Sequence, residues 1–263
     1  MKTLSKTKID WATHVWNPIT GCKHRHAFCY AEKLFNARRT QWYGPGAKRV
    51  PWDYIWEHPE RYLMCSPSGA FVFINSMGDP FFWGTEQILR VFRYVQANSQ
   101  AKFLLLTHNP LFFYDNTHHL GSTSPLLDKI PPNIRMGLSL TNDIDFNYFI
   151  HQEAPIDFVS MEPFMLPWDG QGMDYFRYLH RNDFPVPFHY AIIGGQTPFT
   201  TQYHAQWEED FLQAYEILYD LDAKGEINLL VKDNAAGFDG IEATVPPNSS
   251  SSQKKTILEG FWD

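Results

Sequence analysis

Short apolar runs recur along this chain, and each ends in polar or glycine-rich residues. The runs are Phe71–Asn75, Lys102–Thr107, Ile134–Leu140, Ile156–Ser160, His189–Ile193 and Ile227–Val231. Such runs are typical of strands in a parallel sheet, because other elements cover both faces of that kind of sheet. They therefore predict a buried parallel sheet, and a further strand is predicted near His14–Trp16.

Segments with the helical spacing of apolar residues separate several of these runs. The segment 85–95 has apolar residues at positions 88, 89, 92 and 95, and a second candidate helix covers 205–223. Strands that alternate with helices are typical of βαβ units. Since the chain has no Gly-x-Gly-x-x-Gly fingerprint, we predict an α/β fold, namely a partial or full TIM-like (β/α) barrel of about six to seven parallel strands.

The domain organisation predicted from the sequence is simple. A chain of 263 residues suits one domain, which we expect to cover residues 1–263. Residues near 42–67 are rich in Trp, Tyr, Pro and Gly without a clear period, which indicates an irregular insertion packed over a pocket. Residues near 246–255 are polar and Ser-rich, which indicates a loop.

The predicted strands end in side chains that are able to bind a ligand. They are Asn75, Ser76, Asp79, Thr107, His108, Thr141, Asn142, Glu162, Gly194, Gly195, Gln196, Lys232 and Asp233. In a barrel the carboxyl ends of the strands meet at one face, where active sites are built. The same residue types also form ordinary turns, so this pattern by itself leaves both interpretations open.

One short segment, residues 21–31, carries the densest set of metal-binding side chains. Cys22, His26 and Cys29 follow the spacing Cys-x3-His-x2-Cys, and they include two of the three cysteines in the chain. Thiolate and imidazole groups are ligands for zinc, copper and iron. We therefore predict Cys22, His26 and Cys29 as metal ligands.

Two other interpretations of this segment stay open. Zinc would be held by the same three residues together with His24 or Cys65, in a tetrahedral set. Alternatively, the cysteines are free thiols and His26 is an ordinary loop residue. Cys65 lies 36 residues beyond Cys29, and we expect it to be a buried thiol rather than a fourth ligand.

The composition narrows the classes of function. A formal net charge of −7 argues against a broad nucleic-acid-binding surface, and the basic residues near 23–25, 38–39 and 48–49 are expected to form a solvated face. Three cysteines do not suggest a secreted disulfide scaffold. The first residues lead to no apolar run, and no apolar stretch has the length of a membrane span. We therefore expect a cytoplasmic protein that does not associate with a membrane.

Motifs along nearly the whole chain resemble those of a phage-associated family of radical-SAM-like proteins, within the radical S-adenosylmethionine (SAM) superfamily. The matching segments, in the family's order, are Trp16–Cys22, Cys29–Glu32, Phe71–Phe81, Leu105–Thr107 with Asn109–Pro110, Met136–Asn142, Phe158–Pro163, Ala191–Gln196 and Leu229–Lys232. One position departs from the superfamily pattern. His26 stands at the second of the three positions that carry cluster-binding cysteines.

The resemblance implies a barrel of the radical SAM type and two cofactors. In that superfamily three thiolates hold a 4Fe–4S cluster, and the fourth iron binds SAM. One electron from the cluster cleaves SAM, and the resulting 5′-deoxyadenosyl radical abstracts a hydrogen atom from the substrate. In this chain the implied cluster ligands are Cys22, His26 and Cys29. Imidazole ligation raises the potential of a cluster, which opposes the reducing chemistry that SAM cleavage needs.

The resemblance also implies SAM contacts at the end of the second predicted strand. Asn75, Ser76 and Asp79 would meet the amino group of SAM, and the carboxylate of Asp79 is a suitable acceptor. An alternative role for Asp79 is to cap the turn that precedes Pro80.

Other implied SAM contacts lie at later strand ends. Ser139 and Asn142 would bind ribose hydroxyls or the SAM carboxylate. Glu162 would bind the ribose or the substrate. Gly194 and Gly195 would allow the adenine or sugar edge to approach the backbone closely.

These observations lead to three hypotheses about function. The first is a radical-SAM-like enzyme that uses a 4Fe–4S cluster and SAM, with nucleotide or nucleic-acid modification suggested by the phage association. The second is a non-catalytic binding module that keeps the barrel without a working cluster. The third is a zinc-binding protein. The resemblance further implies a partner protein with a three-cysteine motif of its own.

Overall fold

The computed structural model describes residues 2–24, 26, 29–43, 51–109, 112, 130–141, 156–161, 188–194, 204–232 and 258–259. The strands are β1 (Ser5–Lys6), β2 (His14–Trp16), β3 (Ile19–Thr20), β4 (Trp56–Glu57), β5 (Phe71–Ile74), β6 (Lys102–Thr107), β7 (Ile134–Ser139), β8 (Phe158–Met161), β9 (Tyr190–Ile193) and β10 (Asn228–Val231). Eight of them form one sheet, and β3 and β4 form a separate pair.

The large sheet is parallel except at one edge. Its strand order is β1-β2-β5-β6-β7-β8-β9-β10. β1 runs antiparallel to β2, whereas every other neighbouring pair is parallel. The predicted α/β class and parallel sheet are confirmed. In the described part of the chain β1 and β10 are the two edges of the sheet, so the structure shows an open sheet and not a full barrel.

The α-helices with described bounds are α1 (Tyr30–Tyr43), α2 (Thr85–Ala97) and α3 (His204–Ala223). α2 begins after Gly84, whose N–H donates to the side-chain oxygen of Gln87 at 2.9 Å. Its buried residues are at positions 88, 91, 92, 94 and 95, which is the spacing of one face of an amphipathic helix. None of the helices in the described ranges has both the length and the apolar character needed to cross a membrane.

The two faces of the sheet belong to two separate apolar clusters. Val72 and Ile74 of β5 pack in the larger cluster, together with buried residues of α2 and α3. Phe71 and Phe73 of the same strand pack in a second cluster, which includes Phe158 of β8. Because successive side chains of a strand point to opposite faces, β5 separates a helix-covered face from an aromatic-filled face. This double burial explains why the run is apolar throughout.

The small β3–β4 pair lies outside the large sheet. Thr20 pairs with Trp56, and the Thr20 hydroxyl lies 3.0 Å from Nε2 of His58. The backbone N–H of His58 donates to the carbonyl of Pro18 at 2.8 Å. These contacts hold β4, and the 3-10 helix Pro59–Leu63 that follows it, against the segment that leads to Cys22.

The sequence predicted most of the long strands within one or two residues of their observed bounds. It missed β1, β3 and β4, because strands of two residues are too short to show a period. The described part of the predicted insertion, residues 42–43 and 51–67, contains the end of α1, β4 and the 3-10 helix. Residues 44–50 and the predicted polar loop near 246–255 lie outside the described residues.

A glycine in β7 leaves room for an aromatic ring from the next strand. Gly137 is opposite Phe158 in the register of β7 and β8. A Cβ at position 137 would lie 2.2 Å from the ring of Phe158, far inside van der Waals contact. The ring of Phe158 therefore occupies the space that any other residue at position 137 would need.

We expect Gly137→Ala to lower the free energy of unfolding by about 1–3 kcal/mol, because the added methyl group overpacks the aromatic face. Chemical denaturation measures this change. In a Phe158→Leu background the same substitution should cost less, since the ring that it meets is gone. An equal cost in both backgrounds would show that the ring contact is not the cause.

Candidate functional site

The loop that carries the cysteines is docked onto the loop that follows β5. Gly21 and Gly78 form an isolated bridge, and the N–H of Gly21 donates to the carbonyl of Met77 at 3.0 Å. Gly21 has φ +102°, and a Cβ there would lie 2.1 Å from the carbonyl oxygen of Tyr54. Position 21 therefore needs glycine for both conformation and space. The contact brings Cys22 to the carboxyl end of β5.

Cys22 is a free thiol in an apolar environment. It packs with Phe35 and Trp52, and it is 8% exposed. Burial raises the pKa of Cys22 to about 12, and the charge of Asp79 adds to the rise, although a hydrogen bond from the backbone of His24 lowers it. Without a cation nearby, the neutral thiol is therefore the stable form at neutral pH.

Cys29 immediately precedes α1 and packs half-buried against the same apolar cluster. Its sulfur accepts a hydrogen bond from the N–H of Glu32 at 3.4 Å. Burial raises the pKa of Cys29, whereas hydrogen bonds from the backbone of Glu32 and Ala31 lower it. Backbone donors to sulfur stabilise a thiolate and are characteristic of iron–sulfur ligands. Both cysteines therefore have the surroundings of a thiolate that needs a bound cation to lose its proton.

Three imidazole rings form a cluster beside the thiols. The ring centroid of His26 is 5.0 Å from that of His24 and 4.6 Å from that of His108, and His24 and His108 are 5.9 Å apart. Burial lowers the pKa of His108 below its ordinary value. His24 was expected in a solvated face, whereas its side chain is only 17% exposed and lies against Asp79. The sequence offered one partial signal, which was the position of His108 directly after a predicted strand.

The carboxylate of Asp79 connects this cluster to the sheet. One oxygen, Oδ1, accepts from the hydroxyl of Thr107 at 2.7 Å and from the N–H of Phe81 at 2.9 Å. The other, Oδ2, accepts from the N–H of His108 at 2.8 Å and lies 3.2 Å from Nε2 of His24. Each oxygen thus has two partners, which fills the acceptor capacity of a carboxylate.

The surroundings of Asp79 favour its ionised form. Burial alone raises the pKa of Asp79, but the contact with His24 and the charge and N–H of His108 outweigh burial and hold the pKa below its usual range. The hydrogen bond from Phe81 shows that Asp79 caps the turn at Pro80, which was one of its two expected roles. The contact between Asp79 and SAM stays a prediction.

Two buried polar side chains at strand ends make no hydrogen bond within the described part of the chain. They are Asn75, which is 2% exposed, and Ser139, which is 0% exposed. An unsatisfied buried group of this kind costs about 1–3 kcal/mol. A bound ligand that pairs with these atoms would remove that cost, so both residues are candidates for ligand binding.

Asn75 and Ser139 lie at the carboxyl ends of β5 and β7. Asn75 directly follows β5, and its backbone has φ 67°, which asparagine tolerates better than most residues. Ser139 is the last residue of β7 and lies two residues beyond Gly137, whose missing Cβ is replaced by the ring of Phe158, so alternation along β7 places its side chain on the aromatic-filled face. The carboxyl ends are where parallel sheets bind ligands.

The amide of Asn75 also adjoins the cysteine loop. A Cβ built on Gly78 would lie 2.9 Å from Nδ2 of Asn75 and 2.6 Å from the carbonyl oxygen of Gly21. Gly78 therefore separates the unsatisfied amide from the loop that leads into Cys22. The candidate site consists of this loop contact, the two thiols, the imidazole cluster with Asp79, and the strand-end groups of Asn75 and Ser139.

Other predicted residues make backbone or side-chain contacts of a structural kind. Nδ2 of Asn17 lies 3.1 Å from Oγ of Ser76, and the carbonyl of Ser76 accepts from the hydroxyl of Tyr30 at 2.8 Å. The N–H of Gly194 donates to the carbonyl of Met161 at 3.4 Å. The remaining predicted SAM contacts, Asn142, Glu162 and Gly195, lie outside the described residues.

The predicted metal ligands come from one loop but are not arranged around one point. Within the described ranges, no three side chains of the Cys, His, Asp or Glu type form a group that could hold a metal ion. His26 packs with the other imidazole rings, while Cys22 and Cys29 share the apolar cluster. A three-ligand set would require a rearrangement of this loop, and the assignment of Cys22, His26 and Cys29 to a metal stays a prediction.

Residues 6–217 match a family model with the description "Protein of unknown function (DUF5131)". This chain belongs to that family. The matched range includes the cysteine loop, the strand ends of β5 to β9 and most of α3. No curated protein matches this DUF5131 member in sequence.

A solved structure of a spore photoproduct lyase mutant with a dinucleoside spore photoproduct resembles this DUF5131 member in fold. The TM-score is 0.49 and the sequence identity is 12%, and the match covers 81% of this chain and 63% of the lyase chain. This chain thus spans less than two thirds of the length of that lyase. The likeness is too distant to assign an activity.

We expect Asp79→Asn to lower the free energy of unfolding by about 3 kcal/mol, because an amide group would face N–H and O–H donors in a buried network. Chemical denaturation at neutral pH measures the loss. Thr107→Val removes only one of the four contacts and should cost about 1 kcal/mol. Equal costs for the two variants would contradict the central position of the carboxylate.

Proposed function

We propose that this DUF5131 member is a radical-SAM-like enzyme with a partial barrel of that type. It binds a 4Fe–4S cluster through Cys22, His26 and Cys29, and it binds SAM at the carboxyl ends of β5 and β7. The observation that carries the proposal is the position of the unsatisfied groups of Asn75 and Ser139. They lie at the carboxyl ends of β5 and β7, and Asn75 adjoins the loop that carries the buried Cys22 and the half-buried Cys29.

The donor chemistry of the loop fits an iron–sulfur cluster. Two thiols share one apolar pocket, and each sulfur receives backbone N–H donors. As thiolates, Cys22 and Cys29 would repel each other and Asp79, and a cationic iron centre would relieve that repulsion. His26 provides the third donor from the same loop, since imidazole also ligates iron.

When bound, the cluster supplies the single electron that cleaves SAM reductively. The protein residues have separate roles. Asn75 donates and accepts hydrogen bonds to the polar groups of SAM, and Ser139 provides a hydroxyl for the same purpose. Phe35 and Trp52 exclude water from the thiols. Asp79 positions the N–H of His108 and the ring of His24 at the edge of the site.

Anaerobic reconstitution with ferrous iron and sulfide tests the cluster. We expect a brown protein whose reduced form gives an electron paramagnetic resonance signal that changes when SAM is added. Cys22→Ser and Cys29→Ser should each abolish the signal, because each removes one of two thiolates. His26→Cys should keep the cluster and lower its reduction potential, since a thiolate replaces an imidazole.

Cys65→Ser is the matched control for these variants. Cys65 forms a backbone bridge with Thr3 and is not a member of the thiol cluster, so its substitution should leave the signal unchanged. A loss of the signal supports cluster ligation only in variants whose midpoint of thermal unfolding stays close to that of the parent protein. A colourless protein with stoichiometric zinc would favour the zinc hypothesis. A folded protein that takes up neither metal would favour a non-catalytic module.

Ser139→Ala distinguishes a ligand-binding hydroxyl from a structural one. Because Oγ of Ser139 makes no hydrogen bond in the described structure, we expect its removal to leave the stability unchanged or to raise it by up to about 1 kcal/mol. The same variant should weaken SAM binding to the reconstituted protein about five- to tenfold, the value of one hydrogen bond. Equilibrium dialysis with SAM and chemical denaturation measure the two effects.

The control for Ser139→Ala is Thr107→Val. The hydroxyl of Thr107 donates to Asp79, so its removal should lower the stability. If Ser139→Ala lowered stability as much as Thr107→Val and left SAM binding unchanged, the hydroxyl would be structural and this SAM site would be wrong.

A further inference from the structure

A cavity adjoins the contact between Gly21 and Gly78, since Thr20 and Met77 are among its lining residues. Its volume is about 640 Å³, and residues of β1, β2, β4 and the 3-10 helix Pro59–Leu63 line it. Small-molecule sites typically have volumes of roughly 300–1,000 Å³. All of its lining residues lie in the described part of the chain. The cavity is large enough for a planar heterocycle with a sugar.

An exposed indole forms one wall of this cavity. Trp56 is 39% exposed, although β3 holds its backbone through the pairing with Thr20. Its ring centroid is 5.8 Å from that of Tyr54 and 6.4 Å from that of His58. The ring of Trp56 therefore offers a surface on which a flat ligand can stack. Because the backbone of Trp56 is already held in place, such stacking would cost little conformational entropy.

Two thioethers line the same cavity, those of Met64 and Met77. Methionine side chains adapt their shape and make favourable contacts with aromatic rings. Together with the indole of Trp56 they favour a flat aromatic ligand over a sugar, whose hydroxyl groups would lose their water on such a surface.

The lining of the cavity includes one acidic and one basic side chain. Glu60 provides acceptors and Arg61 provides donors. The guanidinium of Arg61 donates to the carbonyl of Asn17, and the carbonyl of Arg61 accepts from the indole N–H of Trp16 at 3.1 Å. These contacts fix Arg61 at the edge of the cavity. Oε1 of Glu60 lies 3.5 Å from Nδ1 of His58. The lining of the cavity therefore offers both acceptor and donor groups, and the edge of a heterocyclic base carries groups of both kinds.

The third titratable group of the cavity carries no charge at neutral pH. Burial, together with the charge of Arg61, lowers the pKa of His58 to about 4, and the smaller effect of Glu60 opposes it. The cavity therefore has no net positive charge to attract a phosphate group. Recognition of a ligand in this cavity would depend on stacking against Trp56 and on hydrogen bonds to the edge of the ligand's ring.

We propose that this cavity binds a nucleobase by stacking on Trp56, with Glu60 and Arg61 contacting the edge of the base. This proposal does not depend on the cluster or on SAM. The cavity nevertheless adjoins the candidate site, because Met77 lines the cavity and also packs with Cys22. A base bound here would lie one side chain away from the thiol pocket.

Isothermal titration calorimetry on the full chain tests the proposal with AMP, GMP, CMP and UMP, each at up to millimolar concentration. We expect saturable binding of at least one nucleotide. Trp56→Ala should weaken that binding by about tenfold or more, as expected for the loss of one base–aromatic stack. Trp56→Phe should retain most of it, since an aromatic face remains. A single-stranded oligonucleotide of the preferred base distinguishes a free nucleotide from a nucleic acid as the source of the base.

Tyr219→Ala is the matched control, because Tyr219 is an exposed aromatic residue, 57% exposed, on α3 and away from the cavity. It should leave the affinity unchanged. The absence of binding by all four nucleotides would overturn the proposal. The proposal would also be overturned if Trp56→Ala and the parent protein bound the nucleotide with equal affinity. Binding of glucose as tightly as of any nucleotide would overturn it as well. Circular dichroism confirms that each variant is folded, and Trp56→Phe keeps the test valid if the alanine variant unfolds.

Discussion

The carboxylate of Asp79 is the contact on which the candidate site depends. It is buried, and it joins three parts of the chain that are distant in sequence. Thr107 and His108 reach it from the end of β6, His24 reaches it from the cysteine loop, and Phe81 reaches it from its own turn. An ionised carboxylate is stable in the interior only when donors of this kind surround it. The loops at this end of the sheet therefore hold their positions together.

The sheet determines which side of the molecule is available to a ligand. Helices α2 and α3 cover one face, and aromatic residues fill the other face. The packing of Phe158 against Gly137 leaves no space in the middle of that aromatic face. Among the described residues, Asn75 and Ser139 are buried polar side chains at strand ends that make no hydrogen bond. Their unsatisfied state is costly for a folded chain, and the proposed contacts with SAM would offset that cost.

Two features of different chemistry meet at Met77. On one side are the buried thiols of the cysteine loop, and on the other is the cavity that contains Trp56. The contact between Gly21 and Gly78 keeps the loops close enough for one side chain to separate the two. Any ligand of the cavity and any group bound by the thiols would consequently be neighbours. The two sites are nevertheless independent in their recognition, because one depends on sulfur donors and the other on an aromatic surface.

The sequence by itself determined the parallel sheet and the polar residues at the ends of its strands. Apolar runs such as 71–75 must be covered on both faces, and the carboxyl ends of parallel strands must lie together, so Asn75 was identifiable as a strand-end residue. Ser139 was singled out only by the resemblance to a known family. The contact between His24 and Asp79 and the cavity at Trp56 were decided only by the tertiary structure. His24 is half-buried because a distant loop places Asp79 beside it, and β4 is too short to show a period. Contacts between residues far apart in the chain have no local signature, and for that reason only the folded structure revealed them.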